Sequence, residues 1–379
     1  MQKRTLTGLA LAACFSLNCF AGPAAVACAE DLEHIPGFLL ENDTGARDRL
    51  AQFGQKYFDD ALAEAKSAAA QIRGNPNCEP IIRKYLRTWR RGHLWVEEIT
   101  AAPAATATQQ QSPEDVAAQH LKSAPTIEIL STKTLRLTLK SFELYNRDPL
   151  IALMKARHGD LEGHPNWVID VRGNGGGGDS SYEPLLPWLM PDEFASANTE
   201  ILATPANIEG WSRACAVFAP DDPVCKKFAS DSIARMRKGA PGTYVAMEDS
   251  GAMVYKRVKP LEPHRPSRVA ILIDGGCGSS CEEFVLEARQ SFNVKLIGQH
   301  TYGSLDYSNL VPHDLPSGRR RLFYATTRSA RIPGLMVDVA GVQPDIYLPV
   351  EKGEDARNEE LRRVQSWLEG GSIAPGTAK

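Results

Sequence analysis

Beyond residue 29 the 379-residue chain has no apolar run long enough to cross a bilayer, so no transmembrane span is expected once a leader is removed. It also lacks an excess of basic charge. With 43 Lys and Arg against 46 Asp and Glu, the formal net charge is −3, and the electrostatic footprint of a nucleic-acid binder is missing. Its glycine-rich stretch, Gly173 to Asp179, does not end in Gly-Lys-Ser/Thr, which rules out a phosphate loop. No cofactor and no metal are expected. Cysteine is sparse as well, eight in all.

What is present first is a leader. Lys3 and Arg4 precede a mostly apolar Leu6 to Leu17, and Ala27-Cys28-Ala29 before Glu30 is a small-x-small cleavage site. The expectation is a signal peptide over residues 1–29 and a periplasmic or secreted protein. Leu11-Ala12-Ala13-Cys14 also matches a bacterial lipobox, and this alternative would leave Cys14 lipidated. Cleavage after Ala29 leaves Cys78, Cys215, Cys225, Cys277 and Cys281, an odd count for an oxidising compartment. Cys215 with Cys225 is a natural local disulfide. Cys277 and Cys281 are spaced to close a small loop; two buried free thiols are the equal alternative.

Residues 30–100 read as a small helical domain: Leu50, Phe53 and Tyr57 form one apolar stripe, and Ile82, Tyr85, Leu86 and Trp89 another. Residues 101–125, rich in Ala, Thr, Gln and Pro at their start, have linker composition. A second domain over 126–350 alternates strand and helix patterns, which predicts an α/β fold. Residues 196–249 read as an insertion or lid over its sheet, and 351–379 as a C-terminal helix and tail.

Two strand ends carry the candidate chemistry. Val269 to Ile273 is a continuously apolar, β-branched run that enters a helix through Gly275-Gly276-Cys277-Gly278-Ser279-Ser280-Cys281. The first N–H groups of such a helix have no partner within it and face any anion in front of them, which suits a nucleophile; Ser279 and Ser280 as simple N-caps is the plainer alternative. Trp167 to Val171 ends in Arg172-Gly173-Asn174-Gly175-Gly176-Gly177-Gly178-Asp179, where backbone N–H groups can approach a ligand without Cβ obstruction.

Asp170-Val-Arg-Gly-Asn-Gly-Gly-Gly177, Ser279-Ser-Cys-Glu-Glu-Phe284 and Gly341-Val-Gln-Pro-Asp-Ile346 occur in that order. Over roughly residues 80–350 this resembles the C-terminal processing peptidase family, which includes tail-specific proteases, the tricorn core protease and the retinoid-binding protein of the retina. The resemblance implies a ClpP/crotonase-like α/β core. It makes Ser279 the nucleophile of a serine peptidase acting on peptides or proteins, with an oxyanion hole from Gly175, Gly176 and the N–H of Ser280.

The chain departs from the tail-specific branch in two ways. Thr301-Tyr302-Gly303 is followed by Ser304 where that branch has a lysine base, and Thr100 to Pro125 is too short for a PDZ domain. The tricorn-like branch instead has a histidine at the end of the helical domain, here His93, and an acidic residue that positions it, here Asp338. Ser304 and Asp306 are candidates for polar support of the site, and His300 is the alternative base. The competing functional class is an inactive relative that holds a peptide or apolar ligand in the cleft. The oligomeric state is left open.

Overall fold

In the computed structural model, residues 23–73, 77–99, 120–261, 266–349 and 353–373 are described. The chain opens with four helices, α1 (Pro23–Asn42), α2 (Ala46–Phe53), α3 (Gln55–Ala70) and α4 (Glu79–Trp89), followed by strand β1 (Leu94–Glu98). Strands β2 (Thr126–Ile129), β3 (Thr134–Thr138), β4 (Asn166–Asp170), β5 (Glu193–Ala197), β6 (Thr199–Ala203), β7 (Thr243–Ala246) and β8 (Met253–Arg257) follow. The remainder are β9 (Arg268–Ile273), β10 (Val294–Gly298), β11 (Tyr307–Asp314), β12 (Arg320–Ser329) and β13 (Ile346–Tyr347), before a C-terminal helix, Glu354–Leu368.

Six strands form one sheet in the order β13-β10-β9-β4-β3-β2, parallel throughout except for the edge pair β2 and β3. The apolar run after Arg268 is its centre. Val269, Ile271 and Ile273 face one core, while Ala270 and Leu272 face the other, which the C-terminal helix closes with Leu361, Val364 and Leu368. Burial on both faces is why β9 shows no polar alternation, and each buried Val, Leu or Ile side chain contributes about 1.5–3 kcal/mol. Because β4 and β9 are parallel neighbours, with Asp170 opposite Leu272, the glycine-rich loop after one and the serine elbow after the other leave the sheet side by side.

A second sheet, β1-β12-β6-β7 with β11 on β12, carries α1 to α4 and the helices Pro205–Phe218 and Pro223–Met236 on a shared core. This changes the expected domain plan. The helical segment is not an independent unit ending near Ile99: its last stretch is β1, paired antiparallel to β12 from Leu94 opposite Tyr324 to Glu98 opposite Arg320. Nor is 196–249 a lid over the parallel sheet, since β6, β7 and the two helices build the second sheet's core. Of the expected linker, residues 100–119 lie outside the described residues, and 120–123 are helical, with His120 stacked on Tyr145.

The expected leader boundary falls within α1. Cys28, Leu32, Ile35 and Leu39 recur at helical spacing on α1 and are fully buried. Asp31, equally buried, accepts from the Ser317 N–H and hydroxyl and pairs with Arg320. Cys28 is bridged to Cys78, with a Cα separation of 5.9 Å. Cleavage after Ala29 would cut α1 in its second turn and strand Cys78, so the helix as folded starts upstream of that site. The lipobox ending at Cys14 lies outside the described residues. Among the described residues no helix is long and apolar enough to cross a membrane.

Candidate active site

Ser279 sits where β9 turns into the helix Ser280–Ala288, with φ 57° and ψ −126°, a backbone region costly for a residue bearing a Cβ. Several contacts hold it there. Its N–H donates to Glu282 Oε2 at 3.1 Å, and its carbonyl accepts from the Glu282 and Glu283 N–H groups. Cys277 and Cys281, on either side, are joined in a disulfide with a Cα separation of 5.4 Å. Cys215 and Cys225, on the helices Pro205–Phe218 and Pro223–Met236, are joined too, with a Cα separation of 5.8 Å.

The glycine-rich loop packs directly on this elbow. Gly176 has φ +99°, and a Cβ there would lie 2.7 Å from the Gly278 carbonyl and 2.8 Å from Ser279 Cβ, so conformation and space both require glycine. The Ser280 hydroxyl donates to the Gly177 carbonyl at 3.1 Å. Asn174 braces the loop from within: its Nδ2 donates to the Leu139 carbonyl and its Oδ1 accepts the Gly176 N–H at 2.9 Å. That bond takes the Gly176 N–H away from the oxyanion role expected of it. The N–H groups of Gly175 and Ser280 have no hydrogen-bond partner among the described residues.

His93 reaches the serine from the start of β1, 186 positions away in sequence, with Nε2 3.1 Å from Ser279 Oγ. Its Nδ1 is 2.6 Å from the Tyr307 carbonyl, which can only accept, so Nδ1 carries the proton and the Nε2 lone pair faces the hydroxyl. The residue has φ 47°, and its carbonyl accepts from Arg90 at 3.0 Å. Arg90 is itself buried against Asp43 in a two-pronged pair at 2.7 and 2.8 Å. Burial first, and then the Arg90 charge, lower the imidazole pKa from 6.5 to about 4, against the opposing pull of the Tyr307 carbonyl. Near neutral pH the ring is therefore uncharged, with Nε2 as its acceptor.

Asp338 has no hydrogen bond to the His93 ring among the described residues. Its Oδ1 accepts the Leu305 and Asp306 N–H groups at 2.6 and 2.7 Å, and the carboxylate of Asp306 in turn accepts the Val337 and Asp338 N–H groups. The two aspartates thus clamp the segments leading into Tyr307 and so act on the carbonyl that holds the imidazole. Burial raises the Asp338 pKa to about 6, offset in part by those backbone donors. His300 turns Nδ1 to the Thr301 carbonyl at 2.8 Å. The Ser304 side chain packs under Gly92, whose φ is +64° and where a Cβ would lie 2.5 Å from the Ser304 hydroxyl. The segment that delivers His93 therefore occupies the space a longer side chain at 304 would need.

Sequence reasoning gave Glu282 no role beyond its place in the Ser-x-x-Glu pattern, yet it is the fully buried link between the elbow and the 301–304 loop. It accepts from the Thr301 hydroxyl at 2.5 Å and the Gly303 and Ser304 N–H groups at 2.8 Å, besides Ser279 N–H. Burial raises its pKa, while these four donors pull the other way. Its spacing after Ser279, three residues as in a capping box, was the available signal. The Tyr307 contact had none, because any residue supplies a carbonyl. Among the described residues no group of three or more His, Cys, Asp or Glu side chains could hold a metal ion.

The model of peptidase family S41 matches residues 133–348, more than half of the chain. This protein belongs to peptidase family S41. As a member it is a serine-type peptidase, and the family implies peptide or protein substrates. Solved structures share the fold at low identity. Mature CPAF is 11% identical with a TM-score of 0.59, covering 94% of this chain and 100% of its own. A substituted form of CPAF is 10% identical with a TM-score of 0.61, covering 93% and 99%. A candidate peptidase from Parabacteroides merdae is 15% identical with a TM-score of 0.53, covering 90% and 96%. No curated protein matches this S41 sequence.

Proposed function

We propose that this S41 chain is an exported peptidase that works through an acyl-enzyme on Ser279. The observation that carries the reading is the 3.1 Å contact between Ser279 Oγ and His93 Nε2, in a ring whose other nitrogen is held by a carbonyl. His93 takes the hydroxyl proton as Oγ bonds to the peptide carbonyl carbon, and the carbonyl oxygen becomes an oxyanion. The unpartnered N–H groups of Ser280 and Gly175 are the donors proposed to receive it. As the C–N bond breaks, His93 returns the proton to the leaving amine; water then attacks the ester by the same route, releasing the acid and restoring Ser279. Asp338, Asp306, Arg90 and Asp43 act as positioning residues.

Three disulfides among the described residues support an oxidising compartment, as does the basic and then apolar start of the chain. A fluorophosphonate probe should label the wild-type protein and leave Ser279→Ala unlabelled. Equal labelling of both would reject Ser279, and no labelling of a folded wild type would favour the ligand-holding alternative. Mass spectrometry of the exported chain should find an N-terminus upstream of Cys28. A mature chain starting at Glu30 would reject that boundary, and a diacylglyceryl group on Cys14 would put the protein on a membrane surface.

A further inference from the structure

The segment Cys277-Gly278-Ser279-Ser280-Cys281 carries the nucleophile at its middle and is closed by a covalent bond between its ends. Both cysteines are fully buried. Cys281 Sγ lies 3.9 Å from the carbonyl oxygen of Val171, the residue through which β4 enters the glycine-rich loop. The bridge thus packs in the core of the parallel sheet, where β4 and β9 release the two loops that build the site. The other two disulfides, Cys28–Cys78 and Cys215–Cys225, belong to the core under the second sheet.

Within the closed segment Ser279 has φ 57° and ψ −126°, a conformation that a residue with a Cβ leaves unless its surroundings prevent it. Its neighbour Gly278 rotates more freely than any other residue type. Hydrogen bonds hold the flanks: the Cys277 N–H donates to the Asp274 carbonyl at 3.0 Å, the Tyr302 N–H to the Cys277 carbonyl at 2.8 Å, and the Gly278 N–H to the Asn174 carbonyl at 3.1 Å. Water can replace such partners at a turn; it cannot replace a covalent bond. Relaxing Ser279 means turning one of the peptide units beside it. Either turn takes Oγ off the 3.1 Å contact with His93 Nε2 or redirects the unpartnered Ser280 N–H. With the Cα atoms of residues 277 and 281 held 5.4 Å apart, that relaxation is blocked.

We propose that the Cys277–Cys281 bridge is a positioning element for the nucleophile, so that the peptidase becomes fully competent only when export to an oxidising compartment has closed it. One cysteine thiolate displaces a thiolate from a small external disulfide, and the second cysteine then displaces the protein-bound half. Two protein thiols are oxidised, the external disulfide is reduced to two thiols, and the protons pass to these. Because both sulfurs are buried once the elbow has packed, the step belongs to folding, and the finished bridge is shielded from external thiols. The proposal rests on the peptidase reading, and its test is arranged so that the two can fail separately.

Three full-length proteins would be compared: wild type, Cys277→Ala/Cys281→Ala, and Cys215→Ala/Cys225→Ala as a control that loses a bridge outside the elbow. The readouts are the rate of fluorophosphonate labelling, kcat and KM on a peptide, and the urea midpoint. The elbow variant should label and turn over about tenfold more slowly or worse with KM changed less than about twofold, while the control keeps the wild-type kcat even if its midpoint falls. A bridge that served stability alone would lower midpoints and leave kcat untouched, so wild-type kcat and labelling in the elbow variant overturn the proposal. If that variant does not fold, wild-type chain produced with its thiols reduced and then given oxidised glutathione decides the matter. Its labelling rate should rise in step with the Cys277–Cys281 bridge, counted by mass spectrometry after alkylation of the remaining thiols; a rate that does not follow the bridge refutes the idea. Fully oxidised wild type that neither labels nor cleaves would reject the peptidase reading and this proposal with it, whereas activity shared by wild type and elbow variant rejects the bridge alone.

Discussion

Lowering the pH should separate the half-buried, desolvated imidazole of His93 from an ordinary histidine. Its pKa falls from 6.5 to about 4, chiefly by burial and secondly through the Arg90 guanidinium. A fall of that size amounts to roughly 3 kcal/mol against the protonated ring. Between those two values the unfolded chain binds a proton that the folded chain does not, so this residue's effect is to lower stability as pH drops from 6.5 to about 4. Below about 4 both states are protonated and the loss is complete. The same shift sets the kinetics: the acid limb of kcat/KM for the free enzyme should lie near pH 4. Peptide turnover from pH 3.5 to 8 measures the limb, and urea unfolding at pH 7 and 4.5 in wild type and His93→Gln isolates the residue from other titrating groups. An acid limb at 6.5, together with identical pH dependence of stability in both proteins, would refute the argument.

Ser279→Ala and His93→Ala should each lower kcat/KM by about a thousandfold or more, and the double variant should be hardly worse, since groups acting as one unit are non-additive; full activity of His93→Ala would remove it from the mechanism. Glu282→Ala leaves four donors without their acceptor at a fully buried position, and urea titration should show a loss of roughly 3–5 kcal/mol; an unchanged midpoint would mean water replaces the carboxylate. At Asp338, Asn keeps an acceptor for the Leu305 and Asp306 N–H groups and should retain most activity, whereas Ala should cost at least tenfold in kcat. Equal loss in both would point to the charge of Asp338 instead of its clamp.

Much of the parallel sheet and its two functional loops was legible because the information is local. A strand buried on both faces must be continuously apolar, as in Val269 to Ile273, and a loop packed closely against neighbouring backbone must be rich in glycine, as at Gly176 and Gly177. The stripe Ile82, Tyr85, Leu86 and Trp89 marked α4 for the same reason. The expected cleavage site falls inside α1 because a packed helix beginning at Pro23 shares its small and apolar residues with a leader's cleavage region; the Cys28–Cys78 bridge and the Asp31 contacts with Ser317 and Arg320 tie this helix to the fold.

What tertiary structure alone decided depends on contacts with no local pattern. β1 joins a sheet with strands more than 200 residues later, and that pairing brings His93 to Ser279. The imidazole is fixed by the Tyr307 carbonyl, a backbone group every residue possesses, so no residue type could announce it. Gly176 keeps its glycine signature but spends its N–H on Asn174, because loop geometry, and not composition, sets the direction of an N–H. Arg83 and Arg87 of α4 share a cleft with Tyr302, a juxtaposition that only the packing of distant segments makes.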